Sequence, residues 1–500
     1  METSILFSNP LTQEQFEQGL QQWPKSISTC CKRASLFSTL KQKVQTSEPL
    51  EKEFIELKTH TELLEPLLRT PTEVEKESYA QVCFTGNPWS SFNSIPFALL
   101  FLSIYKSYFV PAFGILLPLL SWILPYILLK TFYTMPITFT EYTAILWRLW
   151  NGQGIPKSPS ELLHPTQPSP ALEQNPLTRI KQLVQNGWTL FTIGQSLLEP
   201  VKQAKHFIKT ETACISLGSS ICRVREIGET ILSNWSSFLA PWMKKWITLC
   251  PTNPREAFAF AINHPFWIPT FLKGLCRFEV LYSLATKQES TPAQFVKGTP
   301  TLVFKGVGDP SIPIDQRVLS DFSLNNTNIH SVITGPNRGG KSSFMRGVLS
   351  NVRLAHTFGC VLAEDCKLSY FSWIADGLKL EDLPGTQSLF EREIAFAAGV
   401  LAKEKGTGLV LYDELFHSTN PPDAIRTSTL FCSSLWEKKN CISLISTHVY
   451  SLAHSAPSSV KKLCIASWKK EDKYIFSYKV KKGVCEVSSV DYYLKQFGFL

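Results

Sequence analysis

Charge is scarce in this sequence. Asp, Glu, Lys and Arg make up 18% of the 500 residues, against ~25% in an ordinary soluble chain. Hydrophobic residues reach 44% and aromatics 12%. That balance excludes a disordered chain and points to a heavily buried or lipid-facing part. No Cys-x-x-Cys pair occurs among the thirteen cysteines. The spacing therefore offers neither a zinc site nor a disulfide framework, and a reducing compartment fits. The start, METSILFSNP, lacks a basic segment leading into an apolar one, so no signal peptide is expected. Fifty Lys+Arg against 41 Asp+Glu leave a net charge of +9. That permits phosphate-bearing partners without demanding them. The length suggests about two to four domains, with ample residues for a core.

The shortage of charge is concentrated in one place. Over residues 95–129 Lys106 is the only charged side chain, and 107–129 has none. Crossing a bilayer takes ~20 such residues. Two layouts suit the block. One is a helical hairpin with legs near 92–110 and 114–129, turning at residues 111–114. The other is a single span over 107–129. Pro118 and Pro125 would kink a helix, which membranes tolerate better than water does. A buried hairpin in a soluble core is the alternative, but soluble helices seldom stay apolar on every face. The expectation is a transmembrane helical hairpin.

Residues 1–90 read as helical, with Phe54, Leu57, Leu63 and Leu64 near helical spacing. The Pro/Ser-rich stretch 155–170 reads as a linker. Helical patterning resumes from Pro176, with Ile180, Leu183, Val184 and Trp188, and later Phe278, Leu281 and Leu284. After Pro300 short β-rich runs alternate with helical ones, the pattern of an α/β sheet. The expected division is a helical region over 1–90, a transmembrane block over 91–131, a helical core over 132–300 and an α/β domain over 301–500.

The α/β part carries chemistry. SVITGPNRGGKSS contains Gly335-x-x-x-x-Gly340-Lys341-Ser342 between a β-run and a helical run. Glycines let backbone N–H groups curl round a phosphate, and the helix N-terminus adds a favourable dipole. Gly335, Pro336, Asn337, Gly339, Gly340, Lys341, Ser342 and Ser343 are the expected nucleotide contacts. Lys341 reaches the β- and γ-phosphates, and the Ser342 hydroxyl ligates Mg²⁺. A second β-run ends in Asp413-Glu414. Asp413 is expected to hold the Mg²⁺ shell and Glu414 to orient or deprotonate water. A third ends at Thr447-His448, where the imidazole can sense the γ-phosphate or the water. Lysines outnumber acids between Lys461 and Lys482, with Trp468 among them. Such a run is usually a solvated face, and duplex DNA is its candidate partner.

These motifs together resemble the MutS family of DNA mismatch repair ATPases. TGPNRGGKSSFMR is similar to the family's nucleotide loop. GTQSLFERE matches its Ser-Thr-Phe-Met-x-Glu segment at Ser388, Phe390 and Glu393. LVLYDELFHSTNPPDA matches at Asp413, Glu414, Thr419 and Asp423. LISTHVYSL resembles its Ala-Thr-His switch, and FSYKVKKGVCEVSSVDYYLKQFGF its closing hairpin and helix. The likeness covers about 305–499.

The resemblance implies an α/β ABC-type P-loop ATPase domain at the C-terminus, preceded here by an all-α core and the transmembrane hairpin. It implies ATP and Mg²⁺ as ligands and a homodimer closed by ATP. Within that dimer Ser388 acts across the interface on the partner site; a helix cap within its own chain is the other reading of Ser388. Departures are Arg338 for the usual Met, Phe416-His417-Ser418 for Gly-Arg-Gly, no Gly-x-Phe-Tyr-Glu mismatch reader, and no dimerisation helices before Leu500. The expected function is a membrane-anchored ATPase with its motor in the cytoplasm, DNA being a candidate partner. The alternative is a soluble cytoplasmic repair or recombination protein with a helical clamp. A third class, a scaffold that binds nucleotide without turnover, is disfavoured by Glu414 and His448.

Overall fold

The computed structural model describes residues 7–86, 88–95, 97–150, 176–325, 328–381, 388–470, 473–488, 490, 494 and 497–499. The linker expected at 155–170 lies outside the described residues, as does much of the expected closing helix after 488. Two compact units form. One combines Met1–Lys58, Leu232–Pro241 and Leu272–Leu500; the other combines Thr59–Ile231 and Trp242–Phe271.

The first unit holds the strands. In chain order they are β1 (Ser290–Pro292), β2 (Gln294–Val296), β3 (Leu302–Val307), β4 (Ser320–Leu324), β5 (His330–Thr334), β6 (Cys360–Leu362), β7 (Asp365–Ser369), β8 (Trp373–Gly377), β9 (Gly408–Tyr412), β10 (Cys441–Ser446), β11 (Val460–Lys470) and β12 (Lys473–Lys482). A six-stranded sheet runs β12-β11-β5-β10-β9-β8, and a four-stranded one β2-β7-β3-β4. Strands β5, β9 and β10 are buried at every residue. Continuous apolar runs of this kind suit parallel strands covered on both faces. The pairing is parallel from β8 to β11, and only β12 runs antiparallel.

Register places the site. Ile445 pairs with both Val332 and Tyr412, and Ser446 with Ile333. The residues that follow β5, β9 and β10 therefore leave the sheet at one edge, the carboxyl edge where ligands bind in such sheets.

The helix Lys341–Phe358 lies in the core between the two sheets. Phe344, Met345, Val348 and Val352 share one cluster with Leu302, Phe304 and Phe322 of the small sheet and with Ile333, Leu409 and Ile442 of the large one. It ends at Gly359, whose φ is +77° and where a Cβ would come 2.4 Å from the Arg33 carbonyl carbon.

Contacts group the N-terminal helices differently from their linear order. Phe16 stacks on Phe358 at 5.4 Å and Trp23 on His356 at 4.5 Å. Arg33 donates to the His356 carbonyl at 2.8 Å. The apolar faces of Pro10–Gln21 and Ile27–Thr46 thus cover the helix Lys341–Phe358, and 1–58 joins the strand-bearing unit. Contacts between residues this far apart in sequence leave no trace in local periodicity.

The described elements of the second unit are all helical. Here the hairpin expected to turn at residues 111–114 is corrected. Ala98–Ile104, a π-turn over Tyr105–Phe109 and Val110–Thr131 run end to end. Val110 N–H bonds back to Tyr105 O. A proline at 111 clashes with an α-helical carbonyl four residues earlier, and one wider turn absorbs it, so the chain does not reverse. The reversal comes later, at 132–138. There Phe139–Trp150 folds back, with Tyr142 Oη donating to Trp122 O at 2.7 Å and Tyr126 edge-on to Phe139. Among the described helices, Ala98–Pro118 is long and apolar enough to cross a membrane by length and composition.

Candidate nucleotide site at the sheet edge

The turn between β5 and its helix is built on left-handed backbone. Gly335 has φ +147° and Gly340 φ +105°. A Cβ at Gly335 would meet Ile465 at 3.3 Å, and one at Gly340 would meet the Tyr478 ring at 3.2 Å. Arg338 between them holds φ +59°, uncommon for a side chain with a Cβ. Gly339 N–H donates to Pro336 O at 3.1 Å and closes the turn.

Lys341 is buried. Its Nζ donates to Gly335 O at 3.0 Å and Pro336 O at 3.1 Å, and lies 3.3 Å from His448 Nε2. Burial pushes its ammonium below the ordinary lysine value, while the carboxylates of Glu414 and Asp413 pull it back up. The lysine is folded onto its own loop, with an imidazole beside it.

The acids after β9 are held by β10. Ser446 Oγ, fully buried, donates to Asp413 Oδ1 and accepts from Glu414 N–H at 2.8 Å. Asp413 N–H donates to Gly377 O at 3.2 Å. Glu414 takes φ +52° and Phe416 φ +50°, and non-glycine residues in this region cluster at functional sites. Glu414 Oε1 stands 3.7 Å from His448 Nε2. The His448 imidazole, then His417 and Lys341, hold its carboxyl below the ordinary glutamate value against the opposing effect of burial. Nε2 can serve one neighbour at a time. It accepts from the Lys341 ammonium, or it carries a proton toward Glu414 once the ammonium has moved.

A cleft of about 400 Å³ opens beside this turn. Asn337 to Ser343 and Glu414 line it, together with Asp309, Arg317 and Tyr478. Asp309 Oδ2 binds Arg346 Nε at 3.0 Å, and Arg346 Nη2 donates to Ser343 Oγ at 3.1 Å. The expected contacts Asn337, Gly339, Gly340, Lys341, Ser342 and Ser343 thus come together around one space, with Glu414 at its rim. Among the described residues no group of three His, Cys, Asp or Glu is arranged to hold a metal. The donor set on offer, one hydroxyl and one carboxylate, is of the kind Mg²⁺ takes when phosphates and water supply the remaining ligands.

Ser388 stands apart from this cleft. It caps the helix Leu389–Leu401, its Oγ accepting from Glu391 N–H at 3.3 Å while Glu391 Oε2 accepts from Ser388 N–H at 2.8 Å. Glu393 of that helix is buried and turned to the loop after Glu414. It accepts from Ser418 Oγ, and His417 Nδ1 is 3.2 Å away.

Four contributors escape the motif reading. Ser446 is hidden inside an apolar β-run, and Tyr478 reaches Gly340 from a strand far along the chain with φ +56°. Asp309 and Arg346 pair across 37 positions. Only the Ser446-Thr447-His448 sequence carries a local hint, a polar end to an apolar strand.

Comparison with known proteins agrees with this geometry. Residues 331–492 match the model of MutS domain V. A DNA mismatch repair protein MutS of Thermus thermophilus is 32% identical over 153 residues, 30% of this chain and 19% of its own length. DNA mismatch repair protein spellchecker 1 of Drosophila melanogaster is 27% identical over 231 residues, 43% of this chain and 25% of its own. The matched part spans about a fifth to a quarter of those relatives' length. With strands β6 to β12, the glycine-rich turn and the paired acids falling inside the matched segment, the likeness of this chain to the MutS family is carried by domain V.

Proposed function

We propose that the strand-bearing unit is an ABC-type ATPase that binds MgATP in the cleft and hydrolyses it. The carrying observation is the placement of Lys341 between two loop carbonyls and His448, with Glu414 behind the imidazole. A triphosphate draws the ammonium from Gly335 O and Pro336 O to its own oxygens, which bond a cation more strongly than neutral carbonyls. The loop N–H groups and the helix N-terminus carry the remaining phosphate charge. His448 Nε2 is then released toward Glu414. Glu414, kept ionised by its neighbours, orients a water for in-line attack and takes its proton as the bond to the leaving diphosphate oxygen breaks. Bound Mg²⁺, held by Ser342 and Asp413, would neutralise charge on the phosphates. Tyr478 presents an aromatic ring beside Gly340 for the nucleoside end.

In this reading two copies close over ATP. Ser388 Oγ accepts from Glu391 N–H and donates to Glu391 Oε2 at 3.3 Å, so its hydroxyl has to turn from Glu391 to serve a phosphate on the partner site. The helix Val110–Thr131, apolar and exposed along its length, attaches the protein to a membrane, with the ATPase unit in the cytoplasm. Phosphate release by the purified protein tests the enzymatic part: Lys341→Met should abolish both nucleotide binding and turnover. Carbonate extraction tests the attachment, and release of the protein to the supernatant would reject it.

A DNA-binding role draws on a separate observation. Lys461, Lys481 and Lys482 gather with Lys305 around one surface cleft, and Trp468 is exposed on β11. Binding of duplex DNA that weakens steeply with salt would support it.

A further inference from the structure

The run without charge, 107–129, begins at a polar cleft that the nucleotide chemistry does not use. Inside the helical unit, the π-turn Tyr105–Phe109 and residues 199–207 of the long helix Pro176–Trp235 enclose about 740 Å³. Three basic side chains, Lys106, Lys202 and His206, line it against one acid, Glu199. Lys106 Nζ donates to Gln81 O at 2.7 Å and lies 5.7 Å over the Phe207 ring. Among the described residues the side chains of Lys202 and His206 make no hydrogen bond or ion pair.

The cleft is continuous with the apolar helix. Val110 and Pro111 form part of its wall, and beyond them Phe113, Leu117 and Leu124 are each more than half exposed. A free phosphate would use the cations alone. A phospholipid uses both surfaces, with its headgroup among the cations and its chains along the helix. π-turns recur at functional sites because the wider turn re-aims side chains, and this one carries the lysine that crosses the cleft.

We propose that this cleft seats the headgroup phosphate of an anionic phospholipid, with the acyl chains against the helix beyond Val110. The proposal rests on the membrane attachment proposed above. Each lysine near an anionic lipid surface is worth about fivefold in affinity.

The test uses the full chain in micelles holding equal phosphatidylglycerol and phosphatidylcholine, with retained lipids counted by native mass spectrometry. The wild-type protein should retain phosphatidylglycerol over phosphatidylcholine. The double variant Lys202→Ala, His206→Ala should lower that ratio about fivefold or more, while Lys245→Ala on another helix leaves it unchanged. All three should resist carbonate extraction. Equal retention of the two lipids by a carbonate-resistant wild type, or a double variant with the wild-type ratio, overturns the lipid site and leaves the attachment standing. Displacement of phosphatidylglycerol by inorganic phosphate alone makes the cleft a free-anion site and overturns the lipid assignment. Extraction of the wild type by carbonate removes the attachment and this site with it.

Discussion

Replacing Ser446 with alanine removes one hydroxyl that serves both acids of the site. Ser446 Oγ donates to Asp413 Oδ1 and accepts from Glu414 N–H at 2.8 Å, and the side chain is fully buried. A hydrogen bond to a charged group contributes about 1.5–3 kcal/mol and a neutral one about 0.5–1.5 kcal/mol, so the combined loss is about 2–4 kcal/mol. At about 2–4 °C per kcal/mol for a unit of this size, the melting temperature should fall by about 5–15 °C. The bond from Glu414 N–H also helps hold that residue at φ +52°. Its loss lets the carboxylate drift, and a misplaced catalytic group costs about 10- to 100-fold in rate. Differential scanning fluorimetry and steady-state phosphate release read the two effects. Ser446→Thr, which keeps the hydroxyl, should recover most of both. An alanine variant with wild-type melting temperature and wild-type kcat would refute the reasoning, because it would show that β10 does not position the acids.

Three further outcomes follow from the structure. Glu279 is buried, accepts from Thr12 Oγ1 at 2.5 Å, and has its carboxyl pushed up to about 7 by desolvation. The unfolded chain loses that proton near the ordinary value while the folded one keeps it, so stability falls as pH rises from about 4.5 to about 7 and is flat above. Glu279→Gln should raise the melting temperature at pH 8 and leave it unchanged at pH 4.5. Glu414 is the opposite case: its carboxyl is depressed, so the stability it contributes is present above the ordinary glutamate value and is lost as pH falls through the depressed one. The acid limb of the kcat/KM profile, which reports the free enzyme, should therefore lie below pH 4.5, and a limb near pH 6 would remove Glu414 as the ionised base. Gly359→Ala places a methyl group on the Arg33 backbone in a left-handed conformation and should destabilise by about 2 kcal/mol or more, read by urea denaturation.

The carboxyl edge of the sheet was legible because its parts are local. A glycine-rich turn, an apolar run ending in two acids and another ending in Thr447-His448 each carry their own signature. Parallel register then brings all three ends together, as Ile445 pairing with both Val332 and Tyr412 records. Parts that depend on distant pairing were not legible. Trp23 against His356, Asp309 against Arg346 and Tyr478 against Gly340 join residues whose spacing obeys no helix or strand period. The apolar block failed for a different reason. Pro111 and Gly114 read as a turn, yet the π-turn at Tyr105–Phe109 absorbs the proline and Gly114 packs on Pro200, so the reversal waits until 132–138. Ser388 stood open between two roles, and the structure shows the cap: Oγ accepts from Glu391 N–H and donates to Glu391 Oε2.

Glu414 carries the central claim, and its amide isolates it: Glu414→Gln keeps shape and hydrogen bonding and removes the negative charge. MgATP turnover by the purified wild-type chain should be measured beside that variant, with bound nucleotide quantified in both. The account predicts phosphate release by the wild type, and a variant that still binds ATP but releases about a hundredfold less phosphate. A variant that releases phosphate at the wild-type rate, or a wild-type chain that binds ATP and never turns it over, would contradict it.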